Sequence, residues 1–204
     1  MVVQAYNDPS FYQYSHNHLI ADKTGGQLEF IRKADPTIVK FDEAQIGAAD
    51  AKTGLVPTQI RFLRRSTAPG NGLVPLPFSD FESAGTQKMF CVSGPIMDIL
   101  EHGRVVVFDE FESKLHPNLT RALVGYFTDP ERNPHAAQLI VTTHDVELMR
   151  AGVLTRSQVF FCDKNLHGES KLYSLANFID SDQYDGKVLA EKYLEGIFGA
   201  IPPL

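Results

Sequence analysis

Two adjacent carboxylates, Asp109 and Glu110, are placed to do chemistry because they directly follow an apolar run at residues 105–108. The run is Val-Val-Val-Phe, which indicates a strand buried on both faces of a parallel sheet. Open α/β sheets bind ligands at the carboxyl ends of their strands. Carboxylates there can hold Mg²⁺ and activate a water molecule. A strand that simply ends in solvated acids is the alternative interpretation.

A second candidate site lies where Ser83, Gly85 and Thr86 open a predicted helix. Ser83 is a good N-cap, and apolar residues follow at helical spacing until Gly103, which is typical of the position just beyond a helix end. Free N–H groups at such a helix start can bind an anion, although an ordinary capped helix explains the same residues. Pro95 should kink this helix or divide it in two.

The third candidate is His144, at the tip of a second apolar strand predicted at residues 138–143. A histidine there can donate a hydrogen bond to a phosphate, and a capping aspartate beside an incidental histidine is the alternative. Residues 117–127 should form the helix between the two strands. The resulting β-α-β unit predicts two neighbouring central strands, with Asp109, Glu110 and His144 at one end of the sheet.

The composition is that of one domain, or of a domain with an insertion. The 204 residues are 43% hydrophobic and carry a formal net charge of −6, which argues against an extended basic nucleic-acid surface but not against local DNA contact. Cys91 and Cys162 provide no disulfide framework and no zinc spacing, so we expect a cytoplasmic protein. No stretch of the sequence reaches membrane-spanning length.

Residues 1–80 carry weaker signals. Tyrosine or histidine occupies every second position from Tyr12 to His18, namely Tyr12, Tyr14, His16 and His18. This period of two favours one face of a strand over a metal site. Residues 47–54 resemble a phosphate loop, but the spacing from Gly47 to the lysine is one residue too short, and Ala51 replaces the second glycine. We therefore expect turns at residues 47–54 and 69–72. The other predicted elements are helices at residues 27–34 and 186–196 and strands at residues 37–41, 59–63, 157–162 and 171–175.

In this order, the motifs resemble the C-terminal lobe of ABC-type ATPases, and in particular the RecF/SMC-like AAA family ATPases associated with phage abortive infection. The signature motif of that group resembles Glu-Ser-Ala-Gly-Thr-Gln at residues 82–87, and its Walker B motif resembles residues 105–110. Ser-Lys-Leu-His-Pro at residues 113–117 is similar to the D-loop region, and residues 139–144 to the strand before the switch histidine. The ending at residues 193–202 is also similar.

The resemblance implies an α/β fold of the P-loop NTPase type, with a mostly parallel sheet flanked by helices. Residues 81–204 would be the C-terminal lobe, and residues 1–80 a partial or inserted β/α region. Asp109 would complete the Mg²⁺ shell, Glu110 would act as general base, and His144 would hold the γ-phosphate. ATP bound to one protomer would be contacted by Ser83, Gly85 and Thr86 of the other protomer. The resulting dimer would open when ATP is hydrolysed.

The departure from the family pattern is that the sequence has no Walker A loop, so we expect a fragment, a truncated product or one half of a split protein. The first hypothesis is an ATPase core in anti-phage defence that pairs with a Walker A-bearing lobe and acts on an effector protein. The second is a non-catalytic module that senses nucleotide or binds a partner protein or DNA. A nuclease of the overcoming-lysogenization-defect type is disfavoured, because Asp180, Asp182 and Asp185 are few and close to the end.

Overall fold

The structure is a computed structural model that describes residues 2–3, 9–45, 47–48, 58–67, 72–178 and 184–201. Its helices are α1 (Pro9–Ala21), α2 (Gly26–Ile31), α3 (Phe78–Phe81), α4 (Ala84–His102), α5 (Pro117–Thr128), α6 (Glu147–Arg150) and α7 (Gly186–Leu194). Its strands are β1 (Val2–Val3), β2 (Ile38–Gln45), β3 (Thr58–Arg65), β4 (Leu73–Pro77), β5 (Val105–Phe108), β6 (Gln138–Val141), β7 (Phe160–Lys164) and β8 (Ser170–Ser174). Short 3₁₀ helices lie at Arg156–Gln158 and Leu175–Asn177.

A parallel sheet in the order β1-β5-β6 carries the strand tips. The predicted β-α-β unit is confirmed, since β5 and β6 are neighbours joined through α5. The prediction that both strands are central is wrong for β6, which lies at the edge of the sheet that the described residues form.

The sheet is buried on one face, which corrects the prediction of burial on both. Val106 and Phe108 are 0% and 2% exposed, and they share one core with residues of α4 and α5. On the other face, Val105 and Ile140 are 42% and 52% exposed. The apolar run was read correctly as a strand, but α4 and α5 both pack on the same side of it.

Helix α4 begins and ends as predicted. The Ser83 side chain accepts the N–H of Thr86, and Gly103 closes the helix with a φ of 62°. The predicted division at Pro95 is wrong, because α4 continues through it. A proline removes the N–H that the carbonyl four residues earlier would receive. Here the Ser15 hydroxyl of α1 donates to that carbonyl, on Cys91, at 2.8 Å.

The predicted strand at residues 12–18 is wrong, since these residues lie in α1. Its two histidines bind partners from elsewhere in the fold: His16 Nε2 lies 2.9 Å from a Glu43 oxygen, and His18 Nδ1 lies 2.6 Å from the Gln27 side-chain oxygen. Strands β2, β3 and β4 form an antiparallel sheet over a second core that includes Phe62. Most of the two predicted turns, residues 49–54 and 69–71, lies outside the described residues.

The C-terminal part folds as predicted into two antiparallel strands, β7 and β8, followed by α7. Strand β7 begins later than predicted because residues 156–158 form a 3₁₀ turn. Aromatic and aliphatic side chains from the hairpin and from α7 share a third core; they include Phe161, Leu189 and Phe198. Across the part of the chain that the structure describes, no helix is long and apolar enough to cross a membrane.

Candidate functional site

The tips of β5 and β6 are joined by the side chain of Thr142. Its hydroxyl donates a hydrogen bond to Asp109 Oδ1 and accepts the N–H of Glu110 at 3.0 Å. The backbone continues the connection, because the N–H of Phe111 donates to the Thr142 carbonyl at 3.1 Å. The two exposed carboxylates are therefore presented from a fixed backbone at the carboxyl end of the sheet.

Glu110 adopts a left-handed backbone conformation, with a φ of 48°. Non-glycine residues rarely adopt this conformation, and where it persists the surrounding structure must impose it. The constraint here is a pair of hydrogen bonds that Thr142 accepts: the N–H of Glu110 donates to its hydroxyl, and the N–H of Phe111 donates to its carbonyl.

His144 lies at the end of β6 beside a third carboxylate, that of Glu112. Its Nε2 atom is 3.2 Å from Glu112 Oε1, and its backbone N–H donates to the same oxygen at 3.3 Å. Partial burial would raise the pKa of Glu112, but hydrogen bonds from the Thr143 side chain and from backbone N–H groups hold it below its ordinary value. Because β5 and β6 are parallel, Asp109, Glu110 and His144 lie at the same end of the sheet.

The start of α4 forms a separate part of the site. The hydroxyls of Ser83 and Thr86 are 2.9 Å apart, and Thr86 is only 3% exposed, so it supports the exposed Ser83 from below. Gly85 packs against the turn that follows the acid pair: a Cβ at Gly85 would lie 3.2 Å from the Lys114 carbonyl oxygen. The helix start therefore contacts the D-loop-like turn of its own chain, while its hydroxyls bond each other.

Sequence reasoning missed Lys88, which ties α4 to the same turn. The residue is 2% exposed, and its Nζ atom donates to the carbonyls of Phe111 and Ser113 at 2.8 and 2.7 Å. Burial lowers the pKa of Lys88 from 10.5 to about 8. The sequence does contain a signal for its burial: Lys88 lies three residues after Gly85 and four before Val92, which places it on the apolar face of the helix.

A buried ion pair anchors the residue immediately before the helix. Glu82, whose side chain is 1% exposed, accepts two hydrogen bonds from Arg64 of β3 at 2.8 and 2.7 Å. Arg64 also donates to Asp35 at 2.6 Å. The start of α4 is thereby attached to the antiparallel sheet as well as to the turn.

Among the described residues, no group of three or more His, Cys, Asp and Glu side chains could hold a metal ion. The carboxylates of Asp109 and Glu110 are nevertheless the oxygen ligands that Mg²⁺ prefers, and this ion usually keeps several waters and binds substrate phosphates as well. The donor set fits an ion that arrives with a nucleotide.

Comparisons with known proteins identify a family and a similar fold. A family model described as "AAA domain, putative AbiEii toxin, Type IV TA system" matches residues 6–150. A solved chain from work described as "Structural biochemistry of ATP-driven dimerization and DNA stimulated activation of SMC ATPases" has a TM-score of 0.51 and 15% identity; the match covers 97% of this chain and 100% of that chain. No curated protein matches. The structural likeness shows the fold, that of a P-loop NTPase of the SMC type.

Proposed function

The chain belongs to the AAA-domain family whose model matches residues 6–150, and we propose that it forms the C-terminal lobe of an ATP-binding and ATP-hydrolysing ABC-type core. The observation that carries the proposal is the placement of Asp109, Glu110 and His144 at the ends of two adjacent parallel strands. Acids and a histidine at such an edge suit phosphoryl transfer, in which catalysis is mostly positioning and charge stabilisation.

Each residue has a proposed role in ATP hydrolysis. Asp109 would complete the shell of an Mg²⁺ ion, which neutralises phosphate charge when it is bound. Glu110 would position and deprotonate the attacking water. His144 would donate a hydrogen bond to the γ-phosphate. The fixed backbone at the strand tips supports these roles, because a catalytic acid must be held in place before its substrate arrives.

The helix start would act on a nucleotide held by a second protomer. Ser83 and Gly85 offer an exposed helix N-terminus, which suits a phosphate, and Thr86 would hold the Ser83 hydroxyl in place. Because these residues are anchored by their own turn and by Arg64, they would present one rigid surface to a partner. We propose an ATP-dependent head-to-tail dimer, as the description of the SMC relative suggests for that protein.

Phosphate binding requires a lobe with a Walker A loop, which this sequence lacks. The described sheet offers a place for it: β6 has one neighbouring strand, so its other edge can pair with a further strand. The exposed apolar side chains of Val105 and Ile140 lie on the adjoining open face. We propose that residues 81–204 are the C-terminal lobe, with residues 1–80 as a partial or inserted region and the missing lobe docking at β6.

The family description names an AbiEii toxin and a type IV toxin–antitoxin system. From this description alone we propose a defence role against phage, and we propose that the protein acts in the cytoplasm. In this role, closing and opening of the ATP dimer would control an effector protein. The SMC relative, described as stimulated by DNA, makes DNA a candidate regulator.

The lack of a Walker A pattern favours a second candidate, a non-catalytic module that senses nucleotide or pairs with a partner protein or DNA. Steady-state phosphate release separates the two. The chain alone should release little phosphate, and addition of a Walker A-bearing lobe, fused or separate, should restore turnover that Glu110→Gln abolishes. Glu131→Gln, an exposed acid away from the strand tips, is the control. Restored ATP binding with no Glu110-dependent turnover would favour the sensing module.

A further inference from the structure

We propose that Glu112 is a positioning residue for the switch histidine, and that Lys88 fixes the turn that carries it. The inference rests on the proposed function, because it concerns the histidine that would hold the γ-phosphate. It adds a residue that neither the motif nor the strand pattern singles out.

The Glu112 carboxylate holds both the backbone and the ring of His144. One oxygen, Oε1, lies 3.3 Å from the backbone nitrogen and 3.2 Å from Nε2. The glutamate side chain is 12% exposed, whereas the histidine side chain is 83% exposed. Packing cannot select a rotamer for a ring in that position, so the carboxylate is what orients it.

The orientation has a chemical consequence. Metal- and phosphate-binding imidazoles need the correct ring nitrogen turned to the ligand, and a hydrogen bond at the other nitrogen selects it. With Nε2 bonded to Glu112, Nδ1 is the ring nitrogen left for the phosphate, and it can donate a hydrogen bond there only when both ring nitrogens carry a proton. A change at residue 112 should therefore alter the donor that His144 presents without touching the nucleotide itself.

Glu112 can act in this way because its own backbone is held. The carbonyls on both sides of it, on Phe111 and Ser113, accept hydrogen bonds from Lys88 Nζ at 2.8 and 2.7 Å. Lys88 lies one helical turn from Gly85 in α4. The start of α4, which would bind the partner's nucleotide, is thus connected through Lys88 and Glu112 to the histidine that would bind the nucleotide of the same protomer.

The second oxygen of Glu112, Oε2, is buried and has no hydrogen-bond partner of ordinary geometry among the described residues. A buried polar atom in that state costs stability, so the side chain is held in place by the contacts of Oε1 and not by those of Oε2. An amide at residue 112 would keep the shape and one acceptor but lose the charge, whereas alanine would lose both.

The experiment compares Glu112→Ala, Glu112→Gln and the exposed control Glu131→Ala in the full chain. In the nucleotide-free chain, long-range ¹H–¹⁵N spectra report the protonation and order of the His144 ring. We expect Glu112→Ala to move those resonances and to broaden the distribution of ring orientations. Glu112→Gln should have a smaller effect, and Glu131→Ala none. Unchanged His144 resonances in Glu112→Ala would overturn the proposal.

The second measurement is phosphate release with the Walker A-bearing lobe present. Loss of a group that orients a ligand-binding histidine should lower kcat about 10- to 100-fold with a nearly unchanged KM, and glutamine should restore part of it. A displaced ring with unaltered kcat would also overturn the proposal. If the unmodified protein releases no phosphate while Glu112→Ala still displaces the ring, the proposed hydrolysis fails and the positioning contact stands.

Discussion

Removing Arg64 should destabilise the protein strongly because it would leave a buried carboxylate without its partner. Glu82 is 1% exposed at its side chain and accepts two hydrogen bonds from the Arg64 guanidinium. Methionine at position 64 would retain much of the side-chain volume but none of the donors. Penetration of water to the Glu82 carboxylate is one way in which the variant could relieve the unpaired charge.

The magnitude follows from the burial of the pair. Breaking a buried ion pair by removing one partner costs about 3–5 kcal/mol. Arg64 and Asp35 are 16% and 24% exposed at their side chains, so the second bond of Arg64 contributes less. The double variant Arg64→Met with Glu82→Leu removes the buried charge together with its partner, and it should lose about 1–2 kcal/mol at most.

The assay is urea-induced unfolding at neutral pH, with Arg61→Met as the control. Arg61 lies on the same strand and forms the same two-bond pair with Asp42, at 2.8 and 2.7 Å, but these side chains are 31% and 38% exposed. The control should therefore lose much less stability than Arg64→Met. Equal losses in the two single variants, or a larger loss in the double variant than in Arg64→Met, would refute the reasoning.

Three further predictions concern buried groups and close contacts. Because burial lowers the pKa of Lys88 from 10.5 to about 8, the unfolded chain holds this proton more tightly. The free energy of unfolding, relative to Lys88→Met, should therefore rise between pH 8 and 10.5 in urea titrations; a flat difference would contradict this. A maleimide at pH 8 should label exposed Cys162 much faster than buried Cys91, whose pKa burial raises to about 11; equal rates by mass spectrometry would count against it. Gly186→Ala should lower the free energy of unfolding by about 1–3 kcal/mol, since its Cβ would lie 2.3 Å from a backbone carbonyl oxygen. Gly125→Ala, in a helix with open space around it, should raise it by about 0.5–1 kcal/mol; the reverse order would be inconsistent with the packing.

Local chemistry predicted the elements that depend on neighbouring residues. Ser83 and Gly103 gave both ends of α4 because caps act within a single turn. Helix α1 was missed because its polar side chains form hydrogen bonds with residues that are distant in sequence. His16 binds Glu43 of β2, and Ser15 binds a carbonyl of α4. Such contacts override a period-two pattern that the sequence shows equally well.

The same distinction applies to the candidate site. The placement of Asp109, Glu110 and His144 at one end of the sheet could be predicted because they follow apolar strands, and a strand tip is a local feature. Glu112 and Lys88 were missed because their roles depend on which carbonyl or ring lies beside them in the fold. The apolar run of β5 likewise predicted a strand but not which of its faces the helices would cover.

The central claim is that the strand tips of one protomer and the α4 start of another act on the same ATP. Its most direct test mixes two inactive variants in the presence of the Walker A-bearing lobe. Glu110→Gln removes the proposed base. Ser83→Asp keeps a good N-cap but opposes the phosphates with a negative charge.

Each variant alone should release almost no phosphate. In an equal mixture, half of the dimers are mixed, and each of these has one site with both residues intact. Turnover should therefore return to about a quarter of the unmodified rate in a symmetric two-site dimer. Phosphate release that stays at the level of the separate variants would contradict the shared site, as would full activity of Ser83→Asp alone.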